Sequence, residues 1–250
     1  MRLSSKENTS QESVERHAPL RSLGFYLKRL LMQLGAKMSR EQVVTANSIV
    51  NYLELGRWVQ AGGFRRFPRY QNRLELHSAV GRPLASERVL YLEFGVFQGV
   101  SLRHWCGLLQ NPLSSLHGFD SFYGLPERWN ALMGPGTCNL DGRVPHFDDK
   151  RVVLHPGWFK DTLPSFVASF LPEYDRLVVH LDADLYSSTS LVLRALEDKV
   201  IPGTILIFDE FSDRDHELRA FDEFLERTGH RFGILGATTV LGQVAFQRVP

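Results

Sequence analysis

Cysteine is almost missing from this 250-residue chain, which holds only Cys106 and Cys138. Two thiols cannot build a multi-bridge framework or a paired CxxC zinc site, so a secreted disulfide scaffold is excluded. Net charge is scarce as well, with 29 Lys and Arg against 28 Asp and Glu. That balance gives no electrostatic case for nucleic acid. Long apolar runs are lacking: Leu23–Leu34 is broken by Lys28 and Arg29 and is too short for stable membrane insertion. No apolar stretch follows the first basic residue, so no secretory signal is expected and the chain is placed in the cytoplasm. What remains is a globular composition, 43% hydrophobic and 23% charged, sufficient for one large core.

The small net charge hides an asymmetry. Residues 1–88 carry 15 basic and 7 acidic side chains, and the remainder 14 and 21, which reads as a basic extension on an acidic body. Residues 1–22 are polar and are expected to form a mobile tail. Residues 23–87 read as an N-terminal helical extension or lid, with Arg65, Arg66 and Arg69 in a loop. Its Leu23–Leu34 helix should pack on its own protein or could serve a homo-oligomer. From residue 88 to 250 short apolar runs alternate with helices. Strands are predicted at Val89–Val96, Leu116–Phe122, Arg151–His155, Leu177–Leu181 and Thr204–Phe208, and two antiparallel runs close the chain over Gly233–Phe246. Ser101 and Ser212 are placed as helix caps, and Gly229 as a helix end. Such alternation specifies an α/β fold with a parallel sheet, whose ligands bind beyond the carboxyl ends of the strands.

Those ends carry the chemistry. The first runs into YLEFGVFQGVS, where Gly95 and Gly99 allow a tight turn. A dinucleotide pyrophosphate would sit at the helix N-terminus that follows, but the Glu93 carboxylate would repel it. A cationic cofactor fits better, and S-adenosylmethionine carries both an ammonium and a sulfonium. Asp120, at the end of the second strand, stands where an acid accepts hydrogen bonds from a ribose, or else caps its own turn. The fourth and fifth strands end in LDADLY and FDEF. Asp182, Asp184, Asp209 and Glu210 would repel one another unless a cation intervened. No excess of Lys or Arg flanks them, so a hard divalent ion, Mg2+ first, is the expected partner. Cys106 and His180 read as core residues, and Tyr186 and Trp158 as packing groups or walls of a nucleoside site. His155 could sit near an adenine, and His146 and His216 read as surface or loop groups.

Five ordered motifs, YLEFGVFQGVS, GFDSFYGLPERW, GWFKDTLPSF, HLDADLYSST and PGTILIFDEF, resemble the macrocin O-methyltransferase family over about residues 88–230. The resemblance implies a Rossmann-like, seven-stranded class I methyltransferase sheet with helices on both faces. It implies methyl transfer from S-adenosylmethionine to a hydroxyl of a sugar or other small, natural-product-like metabolite, with Mg2+. Carried over residue by residue, Glu93 and Gly95 would line the methionine part and Asp120 the ribose. Phe97, Gly99, Ser101, Ser121, Trp158 and Asp182 complete the candidate cofactor set. Asp182, Asp209 and Glu210 would be metal ligands, Glu210 standing where members often have Asp. Asp184 falls at the position of a general base, with Asp182 beside it as the second catalytic candidate.

Two other classes compete. A nucleoside-binding regulatory protein of the same fold, without catalysis, would have no reason to keep four clustered carboxylates. A nicotinamide oxidoreductase is opposed by the charge of Glu93. The acceptor is not written in the motifs; residues 23–86 and the loop Trp129–Asp149 are freest to shape its pocket or lid.

Overall fold

A computed structural model describes residues 18–64, 66–169 and 173–250. Most of the expected 1–22 tail, and Arg65, lie outside the described residues. By its contacts the chain divides into two units, Met1–Ala46 and Asn47–Pro250. In the first, helix α1 (Ala18–Gly35) carries Phe25, Tyr26, Leu30, Leu31 and Met32 as exposed side chains. Helix α2 (Arg40–Ala61) starts from a capping box. The Gln42 N–H donates to Ser39 Oγ at 3.3 Å while the Ser39 N–H donates to Gln42 Oε1 at 2.8 Å, satisfying two orphan donors. Its last turns belong to the second unit, where Leu55 is buried and Trp58 stacks on Phe64.

The second unit is built on one sheet. Strands β2 (Val89–Phe94), β3 (Ser115–Asp120), β4 (Val152–Pro156), β5 (Arg176–Leu181) and β6 (Ile205–Phe208) run parallel. Strand β8 (Val244–Val249) lies antiparallel to β6 and to β7 (Arg231–Thr238). The two-residue β1 (Arg69–Tyr70) adds to the β7 edge. The order β1-β7-β8-β6-β5-β2-β3-β4 is therefore the expected sheet with an eighth strand. Residues 47–87, read as extension from the sequence, lie in the same compact unit as the sheet. Helices α3 (Arg73–Gly81) and α4 (Val100–Leu108) cover one face, and α5 (Phe159–Ser169), α6 (Tyr186–Ala195) and α7 (Glu217–Thr228) the other.

The strands are near-continuous apolar runs because both faces are covered. Strand alternation then sorts side chains between two cores. Leu90, Leu92 and Phe94 join the core with Leu163, Val192 and Phe221. Val89 and Tyr91 join the opposite one with Leu76, Val80 and Trp105. Glu93 shares parity with Tyr91 and lies in register with His180 of β5, so two polar groups face each other beneath α3 and α4.

Two expected caps are corrected. Ser101 lies inside α4, whose N-cap is Gly99 at φ 76°. Helix α7 begins at Glu217 rather than after Ser212. There the Asp215 N–H donates to Asp213 Oδ1 at 3.0 Å, a local turn that competes with helix. Gly229 does end α7, in the left-handed conformation.

The sheet order reverses between β2 and β5, the crevice where α/β folds bind ligands. Gly95 makes that crevice. Its φ is +99°, and a Cβ there would lie 1.7 Å from the Asp182 carbonyl oxygen. Gly95→Ala is expected to lose about 1–3 kcal/mol from backbone strain alone, measured by urea unfolding. Gly107, on α4 with open space around its Cβ position, should instead gain about 0.5–1 kcal/mol on substitution by Ala. Equal unfolding midpoints for the two variants would show that the Gly95 turn relaxes away from Asp182 at no cost.

Candidate functional site

The carboxyl ends of β2, β3, β5 and β6 open onto a cavity of about 660 Å³. Gly95, Phe97, Ser101, Asp120, Ser121, Trp158, Asp182, Asp184, Asp209 and Glu210 all line it. Glu93 and Gly99 do not. Glu93 is 1% exposed and lies in the core, and a Cβ on Gly99 would meet the Phe147 ring at 2.6 Å. His155 stacks on Phe119 with centroids 4.3 Å apart and is no part of the wall. Tyr186 packs too: its hydroxyl donates to Glu223 at 2.6 Å, and Arg219 sits over its ring.

Asp120 ties two loops together. Its Oδ2 accepts the N–H groups of Val96 and Phe97 at 2.9 and 2.7 Å, and its Oδ1 that of Phe122 at 2.7 Å. A carboxylate offers about four acceptor positions, so it can shape the turn and still receive a hydroxyl. Phe97 and Phe122 adopt φ of 47° and 58°, strain these bonds hold in place.

Asp184 also has a positive φ, 58°, and the Leu185 N–H donates across it to the Ala183 carbonyl at 2.6 Å. This turn aims an acidic residue at the cavity directly beyond β5. Burial, then Asp209 and Asp120, raise its pKa to about 6. Burial and Asp209 raise Glu210 to about 7, and the same two causes push Asp182 well above the usual carboxylate range. Burial would lift Asp209 as well, but the cations His180 and Arg73 hold it low. Glu217, fully buried, accepts the Glu210 N–H at 3.0 Å and so fixes the backbone after β6.

The cation absent from the local sequence comes from α3. Arg73 Nη1 donates to Asp209 Oδ2 at 2.9 Å and to Asp182 Oδ2 at 3.5 Å. It is 136 positions from Asp209 and 109 from Asp182 in the chain, so no motif spacing reveals it. A second cation lies within the core. His180 Nδ1 is 3.0 Å from Tyr91 Oη and 3.4 Å from Glu93 Oε2, and the Tyr91 hydroxyl donates to Glu93 at 2.6 Å. Burial opposes a charge on this ring, yet Asp209 and Glu93 raise its pKa to about 10.

Part of the loop expected to shape the acceptor pocket closes the remaining side: Trp129, Met133, Thr137 and Cys138 line the cavity. It is latched to α6. His216 Nδ1 accepts the Tyr186 N–H at 3.1 Å, so its Nε2–H donates to the Trp129 carbonyl at 3.0 Å. Ser187 Oγ adds a 2.5 Å bond to Glu127.

Comparison with known proteins finds O-methyltransferases in sequence and in fold. Residues 143–233 match the family Macrocin-O-methyltransferase (TylF). The 8-demethyl-8-(2,3-dimethoxy-alpha-L-rhamnosyl)-tetracenomycin-C 4'-O-methyltransferase of Streptomyces olivaceus is 41% identical, over 37% of this chain and 40% of that protein. The demethyldecarbamoylnovobiocin O-methyltransferase of Streptomyces niveus is 31% identical over the same shares. The chain thus spans about two fifths of the length of the curated relatives it matches. Among solved structures, the O-methyltransferase NovP superposes with a TM-score of 0.56 at 25% identity, covering 71% of this chain and 80% of that one. Among the described residues no helix is long and apolar enough to cross a membrane. In sequence, residues 143–233 are similar to the macrocin O-methyltransferase family, and the sheet around them shares its fold with the O-methyltransferase NovP.

Proposed function

We propose that this chain transfers a methyl group from S-adenosylmethionine to a hydroxyl of a sugar or other small natural-product-like acceptor. The observation that carries the reading is the meeting, in one cavity, of the Gly95–Asp120 turn with Asp184 and the acids around it. The two curated relatives, named for O-methylation of a rhamnosyl tetracenomycin and of demethyldecarbamoylnovobiocin, support the acceptor class. Two free cysteines suit a reducing cytoplasm.

The residues divide the work. Asp120 and the Val96–Phe97 backbone would hold the nucleoside, with Trp158 along the cavity wall. S-Adenosylmethionine, when bound, supplies an electrophilic methyl on a sulfonium. Asp184, with a pKa close to the working pH, would take the acceptor's hydroxyl proton as its oxygen attacks that methyl in line. Trp129 and Met133 would exclude water from the other side.

Asp182, Asp209 and Glu210 fit Mg2+ by donor chemistry, since all three offer carboxylate oxygens to a hard ion. Two of them already grip a stand-in cation, the Arg73 guanidinium. Mg2+ held there would supply a Lewis acid for the acceptor oxygen.

Calorimetric titration with S-adenosylhomocysteine should show binding, and Asp120→Ala should weaken it by about tenfold or more through lost charge-assisted bonds. No binding to the unaltered chain would end the proposal. A base must be ionised to act, so kcat/KM should fall as pH drops through about 6, the raised Asp184 value. Asp184→Asn should abolish turnover while leaving S-adenosylhomocysteine affinity nearly intact. Full turnover by that variant would remove Asp184 from the chemistry. In a screen of glycosylated hydroxyl acceptors, Mg2+ should stimulate the active pairs, and Arg73→Ala should lower the Mg2+ concentration needed. Unchanged rates in a chelator would leave the acids without an ion to hold.

A further inference from the structure

Beneath the cavity floor lies a second group of side chains, of which only Asp209 has a part in the proposed methyl transfer. His77 of α3, His180 of β5 and Asp209 after β6 are 0%, 0% and 3% exposed. Each leaves polar atoms without a hydrogen-bond partner: both ring nitrogens of His77, Nε2 of His180 and Oδ1 of Asp209. One ligand atom from each residue lies within 4.8 Å of the others. A buried polar atom left unpaired costs free energy, and unpaired atoms converging on one point call for a single occupant. We infer that His77, His180 and Asp209 form a binding site for a divalent first-row transition ion of the zinc class.

The donor set favours such an ion over Mg2+, and the surroundings suit its binding. Two imidazole nitrogens and one carboxylate oxygen make a donor set suited to zinc, whereas Mg2+ selects oxygen. A carboxylate stands behind one ligand, with Glu93 Oε2 3.4 Å from His180 Nδ1. Metal-ligating histidines characteristically donate their second N–H to a group of this kind, which fixes the tautomer; an ion bound at Nε2 would displace the proton that makes His180 a cation when the site is empty. Asp209 can serve both of its neighbourhoods with different atoms: Oδ2 accepts from Arg73, and Oδ1 faces His180 Nε2 at 3.9 Å. Entry is available from above, because Asp209 and Arg73 line the open cavity.

The site has a structural consequence. Arg73 and His77 are four residues apart on α3 and so share one helix face. An ion joining His77 to the ends of β5 and β6 would fasten α3 to the sheet and hold Arg73 over the acids.

The test uses the full chain, freed of metal by dialysis against a chelator and titrated with Co2+. Equilibrium dialysis should give one Co2+ per chain, with visible absorption typical of nitrogen ligation. Zn2+ should displace the Co2+, and a large excess of Mg2+ should not. Glu93→Gln should weaken binding by about 10–100-fold, and His77→Gln should abolish the stoichiometric uptake. If a variant fails to fold by circular dichroism, the unaltered protein still decides. Zn2+ should shift the ring resonances of two histidines in 15N-labelled protein. Uptake that Mg2+ displaces, uptake unaffected by His77→Gln, or no histidine shift would overturn the site and leave its unpaired atoms to buried water.

Discussion

Negative charge crowded at the carboxyl ends of β5 and β6 is stabilised by two cations, one on each side of Asp209. Arg73 takes Oδ2 at 2.9 Å, and the His180 ring lies 3.9 Å from Oδ1. Without them the strand end could not carry an ionised acid so far from water, because removing one member of a buried pair leaves an uncompensated charge. The remaining acids show what is left uncompensated. Asp182, Asp184 and Glu210 all have raised pKa values, with burial the first cause and Asp209 the second. Burial and one ionised carboxylate therefore shift the protonation of the neighbouring acids together. The arrangement joins the region before residue 88 to the chemistry, since Arg73 is the cavity's contribution from α3.

Much of this was legible in the chain. The parallel strands are apolar runs bounded by turn residues, and acids that follow directly on such runs must stand at the sheet's carboxyl edge. That reasoning brought Gly95, Asp120, Asp182, Asp184, Asp209 and Glu210 to one cavity. It misplaced Glu93, although strand parity contains the signal. Glu93 lies two residues after Tyr91 and opposite His180, so it points into the core beneath α3 and α4 and not out of the strand end. The ammonium–carboxylate argument drawn from Glu93 therefore rests on a side chain that the cavity does not expose.

What the chain conceals is long-range. Helix α3 is short and mixes Arg73, Glu75, His77 and Ser78 with few apolar residues, a pattern that reads as extension. Its role comes from where it docks, with Leu76 and Val80 in the Tyr91–Trp105 core. Only that docking carries Arg73 across to acids more than a hundred positions away. The Ser101 and Ser212 caps fail for the opposite reason, because strong local alternatives intervene: a left-handed glycine at Gly99 and an aspartate turn at Asp213.

The HLDAD segment shows how one strand end can serve structure and chemistry together. His180, Asp182 and Asp184 follow at intervals of two, the period that keeps side chains on one face. The ladder continues past the strand, since the Asp182 N–H donates to the Phe94 carbonyl at 2.9 Å. Along this line the environment changes from closed core at His180, through the Arg73 bridge at Asp182, to open cavity at Asp184. A cation in the core, a bridged acid and a free acid thus stand in sequence. The positive φ of Asp184 breaks the extended run where its side chain leaves the sheet for the cavity. Regular pairing up to Asp182 supplies rigidity, and the strained turn after it supplies direction. The acid proposed as base, set on this edge by Gly95 packing against the Asp182 carbonyl, is positioned by the sheet itself.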